Sequence, residues 1–268
     1  MIILVVFRYE LKQLAKNSII WALCAGALIF LMLPVYIGFT TEGGGAMAGM
    51  MENNAVFDVL GVDTDFVMNP IGMFSFLNSF AMIAVAIHGM GAAFGSHTKE
   101  YANKSAEFLL TKPYSRGRVF WSKLAACAVD CLAVGAAFTL GAALALASLK
   151  GANIDWRAFV LIAKTMLLVE WMFMIYGALA GAFFPNARTP VLISACVMLA
   201  SFCLNTMAKK IGAPILYYFT PFAFFNPRRI AETGFYDIDM AVWYIVSGAA
   251  LSLAAFAKYV KRDVSYAG

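Results

Sequence analysis

Six apolar runs, each about as long as a bilayer is thick, constrain this 268-residue sequence more than any other feature. A helix needs roughly 20 apolar residues to cross the hydrocarbon core. The runs lie at about 18–38, 71–95, 122–148, 159–184, 189–208 and 240–257. They occupy so much of the chain that only short connections remain, with no room for a large soluble domain. The expected fold is an all-α membrane protein with six transmembrane helices, a single transmembrane domain over 1–268.

Composition agrees. Hydrophobic residues make up 62% and charged residues 13%, and the mean hydropathy is +0.78. A soluble domain of this size needs far more polar surface. The net charge of +5 resides in short loops between apolar runs. That placement points to membrane topology and lipid headgroups rather than to nucleic acid.

Residues 1–17 carry Leu4, Phe7, Leu11 and Leu14 at helical spacing, with Arg8, Lys12 and Lys16 opposite. This pattern predicts an amphipathic helix at the membrane surface. The run after it is too long for the core of a cleavable signal. Residues 39–70 hold five acidic residues and no Lys or Arg. Between the fifth and sixth runs, residues 215–225 (ILYYFTPFAFF) are too apolar for an ordinary loop and too short to span. Pro214, Pro221 and Pro227 interrupt them, which predicts re-entrant or interfacial half-helices on the outer face. With the N-terminus inside, thirteen Lys and Arg fall in inner segments and six in outer ones, with Lys164 within a span. Both termini are therefore expected in the cytoplasm. A spanning 215–225 segment would instead give seven helices and an outer C-terminus, against the basic tail of Lys258, Lys261 and Arg262.

Soluble-enzyme signatures are missing. There is no HExxH, no GxSxG and no GxxxxGK[ST] in the sequence, so zinc-protease, serine-hydrolase and phosphate-loop chemistry lack their usual residues. The five cysteines, Cys24, Cys127, Cys131, Cys196 and Cys203, all lie in apolar runs. Cys127 with Cys131 and Cys196 with Cys203 can share a helix face, so metal binding is open, but packing as small hydrophobes is the favoured reading. His88 lies deep in the second run and His97 near its inner end. Ionisable residues inside spans are costly. Asp130 is expected near the inner side, Lys164 near the outer side and Glu170 near mid-membrane. Glu170 is a candidate element of a substrate path; the alternative is a locally paired group that orients helices.

The most charged stretch is 96–123, with six basic and two acidic residues. Ala106–Leu110 is apolar apart from Glu107, so a short surface helix is expected there, ended before Pro113. Ser115 is then placed to cap the next helix. On composition alone, a projecting element that grips a soluble partner and a simple solvated loop remain equally open.

The run Glu107-Phe108-Leu109-Leu110-Thr111-Lys112-Pro113-Tyr114-Ser115-Arg116, followed by Lys123, resembles the E-x-L-L-x-x-P-x-S-R … K loop of ABC-2-type permeases. Tyr9-Glu10-Leu11-Lys12 is similar to the amphipathic helix that leads into their first span. Thr220-Pro221-Phe222-Ala223-Phe224-Phe225-Asn226-Pro227 resembles their S/T-P-F-x-Y-F stretch, with Asn226 where an acid is common. The likeness covers essentially the whole chain. It implies the membrane-spanning permease subunit of a bacterial ATP-binding-cassette (ABC) exporter in the plasma (inner) membrane, without catalytic, cofactor or metal residues of its own. ATP would be bound by a cytoplasmic ATPase subunit, and a second permease subunit, identical or different, would complete the pair within lipid. Residues 99–113 would form a cytoplasmic coupling helix between the second and third spans, with Glu100, Glu107, Lys112 and Arg116 as polar contacts to the ATPase. An intramembrane enzyme, or a non-transporting anchor or immunity protein of the same fold, are the alternatives. The substrate does not carry over.

Overall fold

The computed structural model describes residues 2–42, 69–102, 115–149 and 154–261. These residues are helical, with no strand among them. Six long helices are α1 (Ile2–Glu42), α2 (Pro70–Ala102), α3 (Arg116–Ala147), α4 (Trp156–Phe183), α5 (Pro190–Ile211) and α8 (Ile238–Val260). Between α5 and α8 lie the short helix α6 (Pro214–Tyr217), a 3-10 turn (Pro221–Ala223) and α7 (Pro227–Thr233). All six long helices are apolar and long enough to cross a membrane.

Residues 1–17 do not form a separate surface helix: α1 continues from Ile2 to Glu42 without a break. The sequence shows why. No Gly or Pro occurs before Gly26, so nothing in the sequence interrupts the helix around Ser18. Pro34 is accommodated inside α1, although its ring removes one helical hydrogen bond. The third helix begins at Arg116, directly after Ser115 as expected, and runs on through the apolar run that starts at 122. Ser115 occupies its N-cap position, but the side chain makes no cap bond; its carbonyl accepts from Arg118 N and Val119 N at 3.0 and 3.2 Å. Asp155 does cap α4, accepting from Arg157 N and Ala158 N.

Each proline of the fifth-to-sixth connection opens an element: Pro214 starts α6, Pro221 the 3-10 turn and Pro227 α7. Proline suits this position because its fixed φ fits a first helical turn and its missing N–H would be unpaired there anyway. Asn226 accepts from Arg228 N and Arg229 N and so caps α7. An acid could make the same cap, which gives the Asn in this motif a structural role. The four-residue α6 is too short to span, so the long helices number six.

α1 packs against α3, and α2 against α4, and these two pairs form the centre of the bundle. Backbones meet directly at both contacts. A Cβ added to Gly141 would lie 2.3 Å from Gly26 O, and one added to Gly177 would lie 2.2 Å from Met90 O. The Gly177–Gly181 pair is thus a true helix-contact motif, since a Cβ at Gly181 would also strike His97 Cβ at 2.8 Å. Phe74, Phe138, Phe159, Met166, Met172 and Phe173 fill the space between. By contrast, α1, α5 and α8 present Ile19, Leu23, Leu28, Val191, Leu199, Ile245 and Leu253 outward. An outward apolar face is what lipid stabilises and water does not.

Candidate functional site: two buried polar clusters and a cavity

Helix direction alternates, so the starts of α1 and α3 and the ends of α2, α4 and α8 meet at one end of the bundle. Here Glu10, which the sequence reading left among motif residues, is buried. Its Oε2 accepts from Ser96 Oγ at 2.9 Å and from Lys99 Nζ, while its Oε1 lies 3.3 Å from Lys123 Nζ. Lys123 is 0% exposed, donates to Ser96 O at 2.5 Å and pairs with Glu100. Lys99 also bonds Gln13, and its ammonium sits 5.4 Å from the Tyr9 ring centre. Two acids thus face two lysines, drawn from α1, α2 and α3. A buried charge is tolerated when paired and hydrogen-bonded in this way.

Deeper in the bundle lies a second cluster. His88 Nδ1 is 2.8 Å from Glu170 Oε1, and His88 Nε2 is 3.4 Å from Asp130 Oδ2. Ser18 donates to Asp130 Oδ1, which ties α1 to α3. Trp21 covers the imidazole, with ring centres 5.1 Å apart. His88, Asp130 and Glu170 are 3%, 2% and 0% exposed. A His88 nitrogen, Cys131 Sγ and a Glu170 oxygen all lie within 4.8 Å of one another. Glu170 Oε2 has no hydrogen-bond partner. Among the described residues, no lysine or arginine pairs with Asp130 or Glu170.

This arrangement corrects the expected depths. Asp130 and Glu170 are not at different levels, since both reach the same imidazole. Asp130 on α3 therefore stands level with Glu170 on α4. Lys164 points outward from α4 and joins neither cluster. Cys127 and Cys131 are buried on α3, whereas Cys24, Cys196 and Cys203 are exposed.

At the opposite end is a cavity of about 570 Å³ between the start of α2, the end of α5 and the α7 segment. Its lining mixes Phe80, Met82, Phe202 and Phe222 with Ser79, Asn205, Lys209, Arg228 and Arg229. Arg229 is held by Asp237 at 2.6 Å and Arg228 by Glu232 at 2.9 Å. Tyr236, just before α8, donates to Leu161 O at 2.7 Å, and burial pushes its phenol up to about 12. Glu170 does not line this cavity.

Of the residues marked for ATPase contact, Glu107 and Lys112 lie outside the described residues, as does the expected surface helix at 106–110. Glu100 is engaged within the chain by Lys123, and Arg116 Nη1 donates to Val260 O at 3.2 Å. No sequence signal singled out Glu10 or His88 as the centre of a network; their partners lie 86 and 82 residues away.

The family model for the ABC-2 family transporter protein matches residues 4–258. A relative from Bacillus subtilis (strain 168), described as the uncharacterized membrane protein YdbK, is 26% identical over 206 residues, which cover 70% of this chain and 82% of the relative. Six membrane-length helices are in keeping with that match. The chain is a multi-pass membrane component of a transporter, and it belongs to the ABC-2 family.

Proposed function

We propose that this chain is the permease subunit of an ATP-driven exporter, working with a separate cytoplasmic ATPase subunit and a second permease subunit. The family match over residues 4–258 carries this reading. The 268 residues hold no GxxxxGK[ST] loop, which supports placing ATP on a partner subunit. The end bearing Glu10, Lys99 and Lys123 faces the cytoplasm, in line with the excess of Lys and Arg in the segments at that end.

The geometry suggests how coupling works. Residues 103–115 join α2 to α3, and the Glu100–Lys123 pair bridges the two helices beside this connection. Glu107 and Lys112 make the polar contacts to the ATPase, while Glu100 and Arg116 flank the base of the loop. A push on the loop then reaches α1 through Lys123 and Glu10. Substrate leaves through the opposite end, where the cavity opens. Glu170 enters the path only in a conformation that parts α2 from α4.

The test is to purify the chain together with the products of its neighbouring genes and to ask whether an ATPase co-purifies. Glu107→Arg is expected to abolish association or coupled ATP hydrolysis while leaving the chain folded in the membrane. Full coupling in that variant, or no ATPase partner, sinks the coupling assignment. Orientation is tested by single cysteines in a cysteine-free background. Position 104 is expected to label only from the cytoplasm and position 54 only from outside; the reverse pattern overturns the assigned direction.

A further inference from the structure

The deep polar cluster contains groups that neither the family nor the coupling reading uses. We propose that His88, Cys131 and Glu170 bind a divalent transition-metal ion of the Zn²⁺ class, with Asp130 positioning the imidazole.

Three observations converge. The first is the donor set. An imidazole nitrogen, a thiol sulfur and a carboxylate oxygen, from α2, α3 and α4, lie within 4.8 Å of one another. Mixed N, S and O donors suit Zn²⁺ and its neighbours, whereas Mg²⁺ and Ca²⁺ take oxygen. Three protein ligands leave a fourth position for water or another small donor. The second is the unsatisfied oxygen. Glu170 is 0% exposed, yet its Oε2 has no hydrogen-bond partner. Buried polar atoms are nearly always partnered; the Cys131 thiol interacts with the Glu170 carboxyl, and Oε2 retains acceptor capacity for a further ligand. The third is the group behind the histidine. Nδ1 faces Glu170, while Nε2 faces Asp130 Oδ2 at 3.4 Å, and Ser18 holds the other Asp130 oxygen. Nε2 makes no hydrogen bond to Asp130 at this distance, but the carboxylate is close enough to take up the Nε2 proton contact that orients a metal-binding histidine.

Binding releases the Cys131 thiol proton, and the His88 Nδ1 proton moves to Nε2 so that Nδ1 is free to ligate. The two positive charges of the ion are then met by the Cys131 thiolate and the Glu170 carboxylate. Cys127, one turn from Cys131 and equally buried, is not among the converging donors and serves as a control.

The experiment uses the purified full chain in detergent, stripped with a chelator and titrated with Co²⁺ as a spectroscopic probe. One equivalent per chain is expected, with a thiolate-to-cobalt charge-transfer band in the near ultraviolet. Cys131→Ser is expected to lose that band. Glu170→Gln and His88→Gln are expected to weaken binding by about tenfold or more, Asp130→Asn by roughly 10–100-fold through the imidazole, and Cys127→Ser not at all. Absence of stoichiometric Co²⁺ binding to the wild-type chain overturns the proposal, as does a band that survives Cys131→Ser or vanishes in Cys127→Ser. If His88→Gln fails to give monodisperse protein, the near-isosteric Cys131→Ser decides alone. The measurement needs neither an ATPase nor a substrate, so it can fail while the permease reading stands.

Discussion

The two buried polar clusters both tie α1, α2 and α3 together, the deep one drawing on α4 as well, yet they solve the cost of burial differently. At the N-terminal end, Glu10 and Glu100 face Lys99 and Lys123, and every charge has an opposite partner. In the deep cluster, Asp130 and Glu170 share one imidazole, and a carboxylate oxygen is left over. Pairing removes most of the cost of a buried charge, whereas an unmatched one is sustained only if a proton or another cation completes it. The first cluster is therefore a closed structural joint, and the second is an open one.

Lys123→Met is expected to have the largest effect. It removes the buried ammonium from between Glu100 and Glu10, leaving Glu10 with Lys99 and Ser96 alone, and breaking a buried pair from one side costs about 3–5 kcal/mol. Unfolding in detergent measures this, and adding Glu10→Gln is expected to recover a substantial part of the loss. A small loss in the single variant would erase the distinction between the clusters. Gly89→Ala attacks the deep cluster alone. The new Cβ would lie 2.7 Å from Glu170 O and 3.0 Å from Glu170 Cγ, and overpacking of this kind costs about 1–3 kcal/mol. The same unfolding assay reads it, and Gly135→Ala, whose Cβ would meet only Leu167 at 3.4 Å, is the matched control with a smaller change expected. Glu170→Gln in metal-free protein is expected to change stability by less than about 1 kcal/mol, because it removes an unmatched charge while keeping an acceptor for His88. A loss as large as that of Lys123→Met would show that the deep cluster is closed too. Arg228→Ala sets the lower end of the scale. Its i,i+4 partner Glu232 is exposed, and such pairs are worth about 0.5 kcal/mol or less.

The spans were legible because apolar length is a one-dimensional property: all six overlap the expected runs. The prolines and Asn226 were also local signals, and they open or cap the elements that follow them. The break expected before Ser18 failed because amphipathic spacing reports which face is apolar, not whether a helix ends. The clusters were far less visible. Asp130 and Glu170 stood out as isolated intramembrane acids, but how the helices pack against one another decides which of them meet. Glu10 looked like one more charge in an amphipathic turn, and only the crossing of α1 over α2 and α3 shows that it is buried. Gly177 and Gly181 had the right spacing for close contact, but spacing alone does not name Met90 as the backbone they touch.

The unbroken course of α1 has a mechanical consequence. At about 1.5 Å per residue its 41 residues extend roughly 60 Å, about twice the thickness of a hydrocarbon core. One rod thus carries Glu10, Ser18 and Gly26, and so meets the closed joint, the open joint and the tight crossing with Gly141 in turn. The crossing is a natural fulcrum. Glu10 lies sixteen residues, roughly 24 Å, from it, so a tilt of about 5° displaces the Glu10 end by roughly 2 Å. That is enough to separate a carboxylate from its lysines, while Ser18, at half the lever arm, travels only half as far.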